Sequence, residues 1–421
     1  MGKPNLSPDA RKILAAQAVR AFGYGLTSVL LGASLLARGW SGSQVGILLA
    51  AVLAGTAIAS IAVGRFANRI GRRRLYAVLF AGLALAGLVY GLTTAFWALV
   101  LVALAGTLST DVVESGPFTS LEQAMLPSVT AHERRTRAFG TYNAIAAVAG
   151  SLGALAVGLP RLLGHGTAAA GADHRWFLLL VPIGVAGIVL ASRLSPAVEA
   201  TTAATAAGRR PLERSRSIVA RLAALFAIDS LAGGFAVQAF MAYWLSAKFG
   251  ASLELLALVF FAIGVLQTLS FLLAPRIADR VGLLNTMVFT HIPSNILLAL
   301  VPFMPTLQLA IGVLFARFAL SQMDVPTRQA YVAALVDHDE RPAAAAYTNT
   351  ARYVARPVGA ALGGVAQTAT LGLPFVLCGA VKTVYDLVLY VWFRGVELPD
   401  EAQEQPEPPA GEESDRAGAS G

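Results

Sequence analysis

Residues 43–74 read SQVGILLAAVLAGTAIASIAVGRFANRIGRRR. Positions 43–64 hold no charged residue, and Arg65, Arg69, Arg72, Arg73 and Arg74 follow at once. A helix needs about 20 apolar residues to cross a hydrocarbon core of ~30 Å. Arginines crowded at one end of such a helix hold that end on the cytoplasmic side. The stretch therefore reads as a transmembrane helix leading into a basic inward loop.

The same pattern recurs on both sides of it. The 421 residues are 56% hydrophobic and only 13% charged, where an ordinary soluble protein is about 25% charged. Twelve spans are expected, at roughly 13–36, 43–64, 75–94, 96–117, 138–160, 176–192, 218–245, 253–274, 284–302, 307–328, 343–370 and 373–393. They are too long and too uniformly apolar for barrel strands. The expected fold is an all-α membrane protein, with twelve transmembrane helices in two pseudo-symmetric six-helix bundles. The first span follows Lys3, Arg11 and Lys12 and is too long for the apolar core of a signal peptide.

Charge placement gives the orientation. With the N-terminus inside, only Arg38, Arg161, Arg175 and Lys248 fall on the outer side, and the basic loops all lie inside. Both termini are then cytoplasmic, in a cell (inner) membrane. The net charge of +8 is spread over helix ends rather than gathered in a patch, which argues against a nucleic-acid partner. Cys378 is the lone cysteine, so no disulfide within the chain and no cysteine-rich metal site is expected. No nucleophile–base pair, metal-ligand cluster or phosphate loop stands out, so neither catalysis nor a cofactor is expected.

Residues 194–217, rich in Ala, Thr, Pro and Arg, divide the chain into an N-terminal half at 1–193 and a C-terminal half at 218–395. Residues 396–421 are acidic and proline-rich and read as a disordered cytoplasmic tail. The halves repeat one another. Gln123-Ala124 precedes Asn143 as Gln329-Ala330 precedes Asn349, with Glu133-Arg134 and Glu340-Arg341 between. Asn68-Arg69-Ile70-Gly71 matches Asp279-Arg280-Val281-Gly282. Parallel repeats of this kind place a substrate site near the midplane, between the halves.

The loop Gly64-Arg65-Phe66-Ala67-Asn68-Arg69-Ile70-Gly71-Arg72-Arg73 resembles the signature of the major facilitator superfamily. That signature is a glycine, three residues, Asp-Arg, one residue, then Gly-Arg-Arg or Gly-Arg-Lys. Asn68 stands where the family has aspartate. The second copy keeps Asp279 and Arg280 but has Leu283 and Leu284 in place of the arginines. The resemblance covers about residues 10–395. It implies a cytoplasmic latch built on Gly64, Asn68, Arg69, Gly71 and Arg72. The stretch Gln322-Met323-Asp324-Val325-Pro326-Thr327-Arg328 also looks like bacterial members of this superfamily. The Gly-Pro signature of drug–proton antiporters is missing from the fifth span. Ala146, Gly150, Ala154 and Gly158, and likewise Ala355, Gly359 and Gly363, instead form small-residue stripes suited to helix packing.

Ionisable residues at membrane depth are costly and mark functional sites. Arg20, Asp111, Glu114, Asp229, Arg317 and Asp324 fall in the first, fourth, seventh and tenth spans. The resemblance makes those four spans the lining of a central cavity. Arg20 lies about 12 Å beyond Lys12, and Asp229 about 12 Å beyond Arg221, at a ~1.5 Å rise per residue. Two buried pairs are expected: Arg20 with Asp111 or Glu114, and Asp229 with Arg317. Such pairs serve substrate binding and proton coupling, or only fix helix positions. Asp324 can also pair with Arg328 one turn on, and Lys382 with Asp386. Gln17, Tyr24, Gln238 and Tyr243 are further candidates for cavity hydrogen bonds. Arg352 and Arg356 need acceptors, and His291 reads as structural ahead of proton relay.

The resemblance implies a secondary transporter that moves a small molecule by alternating access, driven by a proton gradient. It is expected to work as a monomer in the lipid bilayer, with export favoured over uptake. Charges of both signs suggest a polar or zwitterionic substrate. Two rivals are a proton-coupled uptake symporter and a non-transporting sensor or assembly protein on the same fold.

Overall fold

The structure is a computed structural model that describes residues 6–109, 116–130, 135–162, 173–199, 214–336 and 340–396. Within these the chain is helical and contains no strand. The first bundle comprises α1 (Pro8–Ala37), α2 (Gly42–Ile70), α3 (Arg72–Leu92), α4 (Phe96–Leu104), α5 (Pro117–Met125), α6 (Arg135–Leu162) and α7 (Leu180–Ser192). The second comprises α8 (Arg216–Phe235), α9 (Gln238–Phe249), α10 (Leu253–Val281), α11 (Leu283–Leu300), α12 (Leu307–Leu320), α13 (Asp324–Ala334), α14 (Arg341–Ala369) and α15 (Leu373–Phe393). Among the described residues, ten helical segments are long and apolar enough to cross a membrane. With the two-part fourth span and α14 these make the twelve spans of an all-α, two-bundle membrane protein.

Local sequence sets where the helices begin. Ser7 accepts from the Ala10 N–H at 3.1 Å ahead of Pro8, and Ser41 forms a capping box with Gln44. Ser252 and Thr306 cap α10 and α12 in the same way. These side chains satisfy amide groups that the first helical turn leaves without partners. The two signature loops turn on Gly71 at φ +97° and Gly282 at φ +86°, a region that favours glycine. Nothing approaches Gly64, so helix contact does not account for that glycine.

Three spans are interrupted where continuous helices were expected. The seventh breaks at Ala236–Val237, behind Gly233-Gly234, and the tenth breaks at Ser321–Met323. The fourth ends its first helix at Leu104, passes through Gly106 at φ +76°, and resumes at Pro117. It then runs eight residues past its expected end at 117, to Met125. Interrupted helices leave backbone groups free to serve a site at mid-membrane. The linker residues 200–213 and the tail residues 397–421 lie outside the described residues.

Besides a smaller contact of α1 with α10, the bundles meet among the described residues chiefly through α1 with α9, α2 with α14, and α6 with α10. The last two are equivalent under the repeat. A Cβ on Gly46 would fall 2.4 Å from the Cα of Gly364, and one on Gly158 would fall 2.8 Å from the Ala257 side chain. The Gln367 side-chain amide donates to the Gly42 carbonyl at 2.6 Å, and Gln238 donates to Ser28 at 2.9 Å. These contacts lie on the side of the midplane away from the basic loops. Inside the bundles the small-residue stripes pack as expected. Gly150 meets Gly25 across α1 and α6, and Gly359 meets Leu231 across α8 and α14. Outward positions such as Ile58, Val78, Leu101, Leu272 and Val391 are exposed and apolar, a surface suited to lipid.

Candidate functional site

A cavity, partly continuous with solvent, lies between α6 of the first bundle and the second bundle. Its walls include Asp229, Arg317, Asp324, Arg328, Lys382 and Gln238. Asp229 projects from α8 and is 3% exposed. Its Oδ1 accepts from Lys382 Nζ of α15 at 2.5 Å, and its Oδ2 lies 3.7 Å from Arg328 of α13. Arg328 also holds Asp324 at 2.8 Å, the helical-turn pair expected from the sequence. Behind this cluster His291 Nδ1 meets Asp386 Oδ1 at 2.9 Å, and Asn295 donates to Asp386 Oδ2 at 2.9 Å.

The expected pairing of Asp229 with Arg317 is therefore not formed. Lys382 reaches Asp229 from α15, while the Arg317 guanidinium lies over the Phe318 ring at 4.2 Å. Nor do Lys382 and Asp386 pair along their own helix, since each bonds a side chain on a different helix.

The first bundle holds a second ionic cluster, sealed from solvent. Arg20 of α1 donates to Glu122 of α5 through NH2 at 2.8 Å and Nε at 3.3 Å. Tyr76 of α3 and Tyr142 of α6 donate to the same carboxylate at 2.6 and 2.5 Å. Gln17 accepts from Arg20, and the Tyr24 and Phe118 rings flank the guanidinium at 5.1 and 5.4 Å. Arg20 is 1% exposed and Glu122 fully buried. Arg20 thus pairs with Glu122, and its expected partners Asp111 and Glu114 lie outside the described residues. Of the other polar candidates, Gln17 and Tyr24 belong to this cluster, with the Tyr24 hydroxyl donating to the Thr107 carbonyl at 3.0 Å. Tyr243 stacks on Phe240, with ring centroids 6.1 Å apart.

The two clusters are related by the repeat with their charges exchanged. Asp229 lies 209 residues after Arg20, and Arg328 lies 206 after Glu122. Arg20–Glu122 in one bundle becomes Asp229–Arg328 in the other. The first copy is saturated by hydrogen bonds, whereas the second shares its charges with Lys382 and Asp324 in a cavity wall. Glu122 is missed from sequence because the fourth span is expected to end at residue 117. The signal is present all the same: Gln123-Ala124 aligns with Gln329-Ala330, which sets Glu122 directly against Arg328.

The signature loop binds its own bundle in this conformation. Glu199, just after the turn Pro196–Val198, accepts from the Arg72 N–H at 2.7 Å, the Arg73 N–H at 3.3 Å and Arg73 Nε at 3.2 Å. Arg72 also donates to the Ala124 and Val198 carbonyls, at 3.0 and 3.2 Å, and to Asn68 at 3.3 Å. A carboxylate at the start of α3 suits the helix dipole. Asp279 and Arg280 of the second copy are exposed.

Partial burial pushes the Glu199 carboxyl up, but the two amide donors and the Arg73 guanidinium outweigh it and leave it below its ordinary value. A lowered carboxyl stabilises the fold above its unfolded pKa of about 4.3, and that contribution fades as pH falls through the folded value. Glu199→Gln is expected to lower the melting temperature at pH 7 by ~1–3 °C, a small shift for a partly exposed contact. Melts across pH should show the gap between variant and parent closing below about pH 4.

The fold and a charged cavity between two repeated bundles define a protein of the membrane-transporter class. The sequence profile of the Major Facilitator Superfamily matches residues 13–360 and 241–418, and the chain belongs to that family. It is 27% identical to an uncharacterised membrane protein of Saccharomyces cerevisiae, YJR124C, over 93% of this chain and 95% of that one. Among solved structures it resembles the nucleoside transporter NupG at 13% identity and a TM-score of 0.70, covering 92% of this chain and all of that one. It also resembles the inward-open xylose transporter XylE of E. coli at 15% identity and a TM-score of 0.68, covering 90% and 96%. At these identities the structural likeness speaks for fold alone.

Proposed function

We propose that the protein is a secondary active transporter that moves a small molecule through the cavity by alternating access, with Asp229 as the proton-coupling group. The observation that carries this reading is Asp229 itself, a buried carboxylate in the cavity wall shared between Lys382 and Arg328. A proton and the two cations compete for the same oxygens. Protonation releases Lys382 and Arg328, and their release changes which helices α8 is tied to. Family membership supports coupling of this kind, and so does the fold shared with a D-xylose–proton symporter.

In this reading residues 1–193 and 218–395 are the two moving halves, joined by a linker at 194–217, and 396–421 is a cytoplasmic tail. Both termini face the cytoplasm of a cell membrane. The protein acts as a monomer with substrate, protons and lipid as its partners, and it catalyses no reaction. The interhelical contacts away from the basic loops fit a state closed on the outer face. Export is the working direction.

The test uses purified protein in liposomes given a mixed library of small metabolites, with lumenal contents read by mass spectrometry. One or more compounds should enter protein-containing vesicles at least ~10-fold faster than empty ones. Uniform exclusion of the whole library would favour the rival, a sensor or assembly protein on a transporter fold.

A further inference from the structure

We propose that the cavity binds an organic anion, a small polar molecule bearing a carboxylate or phosphate group, with Arg317 as the residue that meets the charge. The inference rests on the transport reading of this cavity and names its substrate class.

The charges facing the cavity are unequal. Among the described lining residues, Arg317, Arg328, Arg352, Arg356 and Lys382 bring five cationic groups, while Asp229 and Asp324 bring two carboxylates. His291 also faces the cavity, with Asp386 bonded behind it, and that pair adds no net charge when both are ionised.

The way these charges are committed sharpens the point. Both carboxylates are already held, Asp229 by Lys382 and Arg328, and Asp324 by Arg328. Neither is left to receive an ammonium group from a ligand. Arg317 is the opposite case. Its Nε is buried with no hydrogen-bond partner, and its guanidinium lies over the Phe318 ring, with Asp324 and Cys378 near enough to act on it electrostatically. One helical turn on, the Ser321 hydroxyl is also buried with no partner. Residues four apart share a helix face, so the two donors stand together at the break between α12 and α13. A guanidinium and a hydroxyl at one cavity wall fit the oxygens of a carboxylate or phosphate. The zwitterion suggested by a mixture of charges in the sequence is replaced by an anion, because the structure consumes the acidic half of that mixture internally.

The test is thermal unfolding of the full-length protein in detergent, with ligands in matched sets. One set is glucose, glucose 6-phosphate and glucosamine. A second is succinamide and succinate. A third is uridine and uridine 5′-monophosphate. At least one anionic member should raise the melting temperature by about 2 °C or more while its neutral and cationic counterparts do not. Arg317→Gln should weaken that effect by about tenfold or more, and Arg317→Lys by less. An unliganded melting temperature close to the parent's shows that the variant is folded. If it is not, Ser321→Ala takes its place, with a smaller loss expected. Stabilisation confined to neutral or cationic members, or by no anion at all, overturns the proposal. An anion that stabilises the protein but never enters vesicles leaves this inference standing and removes the transport reading. A neutral or cationic compound that is transported does the reverse.

Discussion

Replacing Glu122 by alanine is expected to cost the protein a large share of its stability. The substitution strands the Arg20 guanidinium at 1% exposure and leaves the Tyr76 and Tyr142 hydroxyls without their acceptor. Removing one partner of a buried ion pair costs ~3–5 kcal/mol, against a typical total of about 5–15 kcal/mol. The effect reaches four spans together, because α1, α3 and α6 each send a side chain to the carboxylate that α5 carries. Size-exclusion profiles and melting curves in detergent should show aggregated or strongly destabilised protein. The paired change Arg20→Met with Glu122→Leu should recover much of the loss, since it removes both charges rather than one. A Glu122→Ala protein that melts with the parent would mean that the network does not hold the first bundle together.

Asp229→Asn carries the largest functional effect. Asparagine keeps the shape of the side chain and can still accept a hydrogen bond from Lys382, but it cannot bind or release a proton. In this account the variant keeps the cavity and loses the coupling. Uphill accumulation of substrate should fall by at least ~10-fold, while exchange of labelled for unlabelled substrate, which needs no net proton movement, should persist. Counterflow and accumulation measured on the same vesicles separate the two. If both vanish together, Asp229 is a binding or structural group. If neither changes, the coupling proton sits elsewhere.

The fold is legible in the sequence because a membrane imposes simple rules. Apolar length marks the spans, arginine placement marks one face, and the recurring Gly71 and Gly282 turns mark the repeat. The breaks in the fourth, seventh and tenth spans are not legible, since residues such as Ala236 and Val237 are as apolar as their helical neighbours. The site is legible as a set of charges and, apart from the one-turn pair Asp324–Arg328, illegible as a set of pairs. Arg20, Asp229, Arg317 and Asp324 stand out by their cost at depth, but which charge meets which depends on helix rotation. Lys382 reaches across to Asp229 instead of along its own helix to Asp386. Glu122 is hidden by a misplaced span end, although the repeat offset of 206 that links Asp111 to Arg317 also links Glu122 to Arg328. The family's signature loop is legible in its glycine turn, but its partner Glu199 lies 126 residues beyond Arg73, where no local pattern points to it.

Proton coupling of substrate movement through the cavity between α6 and the second bundle is the role proposed for the Asp229 cluster. It is tested most directly in liposomes holding a trapped pH dye, with a transported compound added outside to the parent protein and to Asp229→Asn. The account predicts a lumenal pH change on addition to the parent and none with the variant. A rise in pH marks exchange for protons and a fall marks co-transport. Entry of labelled compound with no pH change in the parent, or an equal pH change in the variant, would contradict it.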